Sequence, residues 1–423
     1  MRTLPRFVSW VHRAETCANL GLMRVPEVVI RRTAIDPVLR GHPWVWQDAI
    51  EFTEAGSAGT EVALVSQDGR RLGRGIFDHD SPIAVRVWTF VAGHARPSSA
   101  EADVSIDADL VRTRITRALS VRQCLFARDE TTAYRLLNGE GDRMPGVVAD
   151  RYAHVVILRP DGAGAEAVVR RFSSVFSDAL LTSGVTSVGL RVSARGEAVR
   201  LEHLGGDRPP DSVLALEHGV PFLVDLAQGQ KTGAFLDQRE NRRRVSHLAK
   251  GKDVLNLFSY AGGFSLHAAL AGARSVTSVD SASSAHATAQ ASFRAAGLDP
   301  LKYAFVTADV FSFLDQARAR GTSWDLVVSD PPSFAPSERA LTRALASYRS
   351  LHKACAQVLR PGGVLCASSC SSHVDAARFA STLDDAALGR SDLSILEVTG
   401  QPSDHPTLAA WSEGRYLKFV VLG

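Results

Sequence analysis

Between Met23 and about Ala95, apolar residues come in short runs separated by turn signals. Val28–Ile30 is apolar, Glu61–Ser66 and Ile83–Phe90 alternate, and Leu72–Phe77 follows the turn Gln67-Asp68-Gly69. Further turns fall at Gly41-His42-Pro43 and at 55–59. Short strands at this spacing predict a small β-barrel over residues 23–97. Polar residues, proline and small residues mark 94–103 as a linker. Leu110, Ile115, Leu119 and Phe126 then recur at helical spacing, with Arg112, Arg114, Arg117 and Arg122 between them and no acid within 110–126. Strands Tyr134–Leu137, Val147–Ala149 and Val155–Leu158 follow. A helix over Ala165–Leu181 and strands Val185–Val192 and Ala198–His203 complete an α+β unit over 98–210. Leu214–Leu226 reads as a hairpin around 217–221.

From Gly229 the rhythm changes to strand–helix alternation. Strands are predicted at Asp253–Phe258, Ser275–Asp280, Ala304–Thr307, Asp325–Ser329, Val364–Ser369, Ser394–Val398 and Tyr416–Leu422. Alternating βα units predict a mostly parallel, doubly wound α/β sheet over 211–423.

Composition narrows the classes. At 423 residues, 45% hydrophobic and 22% charged, the chain is ordinary globular protein of two or three domains. No apolar run reaches the eighteen or so residues of a membrane helix, so no membrane partner is expected. A net charge of +3 permits a nucleic-acid partner without demanding one. Cys17, Cys124, Cys355, Cys366 and Cys370 form neither a disulfide framework nor a zinc motif. A reduced, cytoplasmic setting and no metal are expected. Residues 1–22 lack a signal-peptide pattern and read as a poorly ordered extension or a consequence of start-codon choice.

The chemistry concentrates at strand ends. The first strand of the α/β unit runs into Phe258-Ser259-Tyr260-Ala261-Gly262-Gly263, where two glycines allow a sharp turn and close approach to a ligand at a helix N-terminus. The pattern is not GxGxxG, so a dinucleotide pyrophosphate is not the natural guest. The second strand ends in Asp280, able to accept both hydroxyls of a ribose. The third leads to Asp309, where a carboxylate could meet an adenine amino group. Three such stations suit a nucleoside cofactor without phosphates, and S-adenosylmethionine fits. The blander alternative is ordinary turn chemistry. Candidate contacts are Asn256, Phe258, Ser259, Tyr260, Gly262, Gly263, Asp280, Ser281, Asp309, Val310 and Asp330.

The fourth strand ends in Asp330-Pro331-Pro332-Ser333-Phe334. The prolines stiffen the loop and hold the Asp330 carboxylate where it can hydrogen-bond a planar base, while Phe334 could stack on one. A proline-rich turn with a packed Phe is the alternative. Cys366, inside the fifth strand, reads as a small buried hydrophobe. Cys370 falls at that strand's carboxyl end, where a nucleophilic thiolate would sit, though a structural cysteine is equally compatible. The run Arg239, Arg242, Arg243, Arg244, Lys250, Lys252 is either a solvated helix face or a phosphate track for RNA. The arginines of 112–122 offer a second track.

Several of these stretches resemble one family. Leu255–Ser265, Ser329–Phe334 and Ser368–Ser371 are similar to the bacterial 23S ribosomal RNA 5-methylcytidine methyltransferases. So are Gln230–Arg239 (QKTGAFLDQR), Asp404-His405-Pro406 and Tyr416-Leu417-Lys418. Arg40–Trp46 resembles that family's PUA domain; Arg135–Asp142 and Pro145-Gly146 resemble its central domain. The resemblance implies a class I S-adenosylmethionine methyltransferase fold with a seven-stranded sheet whose last strand is antiparallel. It implies methyl transfer to carbon 5 of a cytosine. Cys370 would add to carbon 6 to make carbon 5 nucleophilic, and Asp330, with Pro331, Pro332 and Phe334, would hold the base. It places Phe235, Gln238 and Arg239 over the methionine end of the cofactor; on the phosphate-track reading of the basic run, Arg242 and Arg243 are the candidates for RNA contact. Some other RNA cytosine methyltransferases carry a second Cys after the proline of the fourth-strand motif. Here that region reads Pro332-Ser333-Phe334, so the base that removes the carbon-5 proton is unassigned.

The implied partner is 23S ribosomal RNA, free or in an assembly intermediate; a homodimer stays open. Two alternatives remain. A methyltransferase acting on a guanine exocyclic nitrogen would need no thiolate and often shows Asn at the position of Asp330. A non-catalytic ribosome-assembly factor would need none of Asp280, Asp309 and Asp330.

Overall fold

The computed structural model describes residues 25–91, 104–127, 130–192, 199–335 and 337–423. The expected extension (1–22) and linker (94–103) lie outside them. None of the described helices is long and apolar enough to cross a membrane.

The N-terminal barrel has six strands: Glu27–Ile30, Trp44–Trp46, Ile50–Thr53, Glu61–Ser66, Arg71–Phe77 and Ile83–Phe90. The helix Arg32–Leu39 and the strands at 44–46 and 50–53 escaped the sequence pattern. The helix is one of eight residues with Pro37 inside it, and those strands are short. Glu61–Ser66 and Ile83–Phe90, expected to alternate, are instead buried over most of their length, as is Arg71–Phe77. Helix Ala163–Arg171 of the central domain packs closely on this sheet: an added Cβ on Gly59 would meet the Ala167 Cβ at 2.3 Å, and one on Gly164 would lie 3.1 Å from the Phe77 carbonyl oxygen.

The central domain packs helices Ala108–Phe126, Ala163–Arg171 and Ser173–Leu181 on a five-stranded sheet. The single helix expected over 165–181 is broken at Phe172, whose backbone (φ −110°, ψ 27°) leaves the α region. The hairpin Ser212–Glu217/Val220–Asp225 links this domain to the α/β unit.

The α/β unit holds seven strands, numbered here β1 Asp253–Leu257, β2 Ser275–Asp280, β3 Ala304–Thr307, β4 Trp324–Ser329, β5 Leu359–Ser369, β6 Ile395–Thr399 and β7 Lys418–Leu422. Their order is β3-β2-β1-β4-β5-β7-β6. All pairings from β3 to β5 are parallel, and β7 runs antiparallel to both neighbours. The inner strands are continuous apolar runs because helices cover both faces. Leu255, Leu257, Leu326, Val327, Val328, Leu365 and Cys366 are all inaccessible, each large one contributing about 1.5–3 kcal/mol by burial. The strand order reverses between β1 and β4, and such a switch point opens a crevice at the carboxyl ends. Register fixes what lines it. Leu257, Ser329 and Ala367 lie side by side, so Phe258, Asp330 and Ser368 emerge at one edge.

Candidate active site

The turn after β1 is held in an uncommon conformation. Phe258 (φ +56°), Tyr260 (φ +45°) and Gly262 (φ +74°) occupy the left-handed region, which costs a non-glycine residue about 1–3 kcal/mol. Asp280, at the end of β2, stabilises this turn. Its two oxygens accept from the Tyr260 and Ala282 backbone N–H groups at 2.8 and 2.9 Å. An added Cβ on Gly262 would lie 2.8 Å from Ala289, so glycine also lets helix Ser283–Ala295 approach. Tyr260 meets Phe235 edge-on with ring centres 5.3 Å apart, and the Lys231 ammonium sits 4.3 Å from the Phe235 ring centre. Asp309 caps helix Val310–Ala319 through the Ser312 N–H at 2.9 Å.

Lys231, Phe235, Phe258, Tyr260, Asp280 and Asp309 line a cleft of about 810 Å³, together with Ser259, Gly263, Ser281 and Val310; the predicted contact Gly262 does not, being turned against helix Ser283–Ala295. The donor set suits an uncharged nucleoside. Carboxylates at the ends of β2 and β3 offer acceptors to hydroxyl and amino groups and would repel a phosphate. Asn256 does not line it. That side chain is buried beneath the turn and donates to the Ser265 hydroxyl at 2.9 Å, so it holds the helix start instead.

At the other end of the cleft Asp330 follows β4. Gln238 donates its amide to the Asp330 Oδ1 at 2.8 Å and to the Ser368 hydroxyl at 2.9 Å, while its own carbonyl accepts from Asn241. Burial pushes the Asp330 carboxyl up to about 6, and the nearby Asp237 charge adds to the effect. Cys370, just past β5, is half-buried and lines the same wall as Asp330, Pro331 and Pro332. Burial raises its thiol above the ordinary value, Asp330 raises it further, and Lys231 opposes both. Cys366 is wholly buried, with its thiol pushed up to about 12.

Phe334 is turned away from the cleft, packing on Tyr348 with ring centres 4.9 Å apart, so it does not offer a stacking face. Apolar burial won over exposure there.

Several arginines of the two tracks are structural, whereas others stay exposed. Arg239 does not reach the cleft. Its guanidinium forks onto buried Asp404 at 2.7 and 2.9 Å and lies over Phe126. Arg242 is buried in a fork to Glu217, which also meets His267 at 3.1 Å; it lines the cleft floor but is not free for RNA phosphate. Arg122 forks onto Asp142 and also bonds the Asp404 carbonyl. Arg114 donates to the Trp88 and Arg143 carbonyls. Arg243, by contrast, is exposed, as are Arg112, Arg117 and Lys250.

Three further cleft residues were not singled out by sequence reasoning: Lys231, Asp237 and Tyr416. All lie within the quoted stretches 230–239 and 416–418, yet nothing in either local pattern shows that the two segments meet. The barrel contributes too. Trp44 donates to Glu140 at 2.7 Å and packs on Trp411 at 5.1 Å, and all three line the cleft mouth.

A parallel sheet of this order, with acids closing β2 and β4 around a phosphate-free nucleoside site, defines an S-adenosylmethionine-dependent methyltransferase. The family model of that description matches residues 179–418, and a PUA-like domain model matches 28–90. Ribosomal RNA large subunit methyltransferase I of Shewanella denitrificans is 36% identical over 389 residues, covering 90% of this chain and 95% of that protein. The protein of the same name from Klebsiella pneumoniae is 35% identical over 400 residues, covering 93% and 97%. A solved methyltransferase complexed with SAH, SMU.776, has a TM-score of 0.80 at 25% identity, covering 94% of this chain and 99% of its own. The chain belongs to the family of ribosomal RNA large subunit methyltransferase I. It is an enzyme, and its cofactor is S-adenosylmethionine.

Proposed function

We propose that this enzyme methylates carbon 5 of a cytosine in 23S ribosomal RNA, in the cytoplasm, through a covalent adduct on Cys370. The large-subunit RNA substrate is supported by the names of the relatives and by the PUA-like barrel at the cleft mouth. The cytosine chemistry is supported by one observation: a thiol and a largely desolvated carboxyl share the wall of the nucleoside cleft.

Cytosine carbon 5 is a weak nucleophile until carbon 6 is saturated. In this reading the target nucleotide leaves its stack and enters the cleft. Asp330 grips its Watson–Crick edge, held in place by Gln238. The Cys370 sulfur bonds to carbon 6, Asp330 gives its proton to the ring nitrogen at position 3, and the carboxylate recovers the proton released by the thiol. Net, S–H adds across the ring and carbon 5 gains enamine character. An Asp330 carboxyl titrating near 6 suits this relay, since the ideal acid–base group titrates close to the working pH. The cofactor supplies an electrophilic methyl group. Removal of the carbon-5 hydrogen then lets the sulfur leave.

Nucleoside mass spectrometry of 23S RNA from a strain lacking this gene tests the reading. One 5-methylcytidine should disappear and return with the wild-type gene. An unchanged 5-methylcytidine content, or loss of a methylated guanine instead, would refute it.

A further inference from the structure

The wall of the cleft contains an acid that the reaction above does not use. Asp237 lies in the turn Leu236–Gln238 and is 3% exposed. The Tyr416 hydroxyl and the Lys231 ammonium both donate to one of its oxygens, Oδ2, at 2.7 and 2.8 Å. The other oxygen, Oδ1, is buried with no hydrogen-bond partner. Leaving a buried acceptor unpaired costs about 1–3 kcal/mol, more for a charge. Two donors converge on Oδ2 while Oδ1 stays bare, in a residue that lines the same cleft as Cys370 and Asp330, which is the arrangement of a carboxylate whose second oxygen serves a guest. Its reach is shown by its charge, which raises both the Asp330 carboxyl and the Cys370 thiol.

Resting on the covalent reading above, we propose that Asp237 Oδ1 is the base that takes the hydrogen from carbon 5 of the methylated adduct. The carbon 5–hydrogen bond breaks and its electron pair becomes the carbon 5–carbon 6 double bond. The carbon 6–sulfur bond breaks, with its pair leaving on the Cys370 thiolate. Asp330 gives the proton it took from the thiol back to the departing Cys370 sulfur, the carboxylate so formed takes the proton on ring nitrogen 3, and the proton now on Asp237 passes to solvent as product departs. Lys231 and Tyr416 are positioning residues: with His405 they hold Asp237 ionised and well below the ordinary carboxylate range, so it acts as an always-available but weak base on the acidic carbon 5–hydrogen bond of the cationic adduct. This supplies, with a carboxylate, the step for which the fourth-strand loop Pro332-Ser333-Phe334 offers no second cysteine.

The test is Asp237→Asn on ordinary cytosine-containing 23S RNA with methyl-labelled cofactor. Asn keeps an acceptor for Tyr416 and Lys231 but cannot take a proton. About one equivalent of methyl should transfer, and a denaturation-resistant protein–RNA species carrying the label should accumulate. Its release should be slowed by at least about 100-fold, the usual contribution of a general base. Asp237→Glu, which keeps a carboxylate, should restore release in part and checks that the site tolerates change. Wild-type turnover by Asp237→Asn overturns the inference, as does lost methyl transfer with cofactor binding intact and no trapped species. RNA carrying 5-fluorocytidine separates the two readings, because fluorine cannot be removed as a cation. If wild type forms no adduct on it, the covalent reading itself fails. If wild type forms it and Asp237→Asn traps nothing on ordinary RNA, only the assignment of Asp237 fails.

Discussion

Gln238 and Asp330 are joined by an amide-to-carboxylate hydrogen bond of 2.8 Å that crosses from the turn before helix Arg239–Ala249 to the end of β4. The same amide holds the Ser368 hydroxyl on β5, so one side chain ties together the carboxyl ends of the two strands that lead to Asp330 and Cys370. Gln238→Ala should therefore lower kcat more than it raises KM for the cofactor. A loss of about 1–3 kcal/mol is expected for a buried hydrogen-bonding group deprived of its partner. Steady-state kinetics on RNA fragments, with calorimetry for the cofactor, checks this. Equal damage to cofactor binding would contradict it.

The Asp330 carboxyl gives the enzyme a pH signature. Burial raises it to about 6 in the folded chain, above the ordinary carboxylate value. Between roughly pH 4 and 6 the native chain therefore holds a proton that the unfolded chain has lost. The stability this contributes is full below about pH 4 and is lost as pH rises through about 6. Asp330→Asn, which keeps the acceptor for Gln238, should raise stability at pH 8 by up to about 3 kcal/mol. The gain should shrink toward pH 4.5 in denaturant titrations at both pH values. The same variant should lose most of its methyl transfer, so it trades activity for stability.

Arg239 and Arg243, four positions apart on one helix, should behave oppositely. Arg239 and Asp404 are a buried fork, and Asp404 also accepts from the Arg135 backbone of the central domain. Arg239→Ala strands a buried carboxylate and should cost about 3–5 kcal/mol, read as a fall in melting temperature. Arg243 is exposed. Arg243→Ala should leave melting unchanged and weaken RNA binding in a salt-dependent way, lowering the slope of log K against log salt by about one.

These contrasts show what was legible in the chain. The order of βα units, the Gly262-Gly263 turn and the acids at strand ends depend on local pattern, and the sheet register carries Asp330 to the same edge as Phe258. The fates of Arg239, Arg242 and Phe334 depend on partners far away: Asp404, Glu217 and Tyr348. A run of arginines looks the same whether it faces phosphate or a buried acid, so only tertiary contacts decide. Asn256 was misread for the converse reason. It sits in the right strand, but its side chain points to Ser265 inside the fold. The helix Arg32–Leu39 and the break at Phe172 were hidden because neither has a strong local signal.

Covalent catalysis by Cys370 is tested most directly by mixing the enzyme and S-adenosylmethionine with 23S RNA fragments carrying 5-fluorocytidine, then mapping the cross-linked peptide by mass spectrometry. The account predicts a stable adduct on the peptide containing Cys370, absent in Cys370→Ala. No adduct, or an adduct that persists in Cys370→Ala, would contradict it.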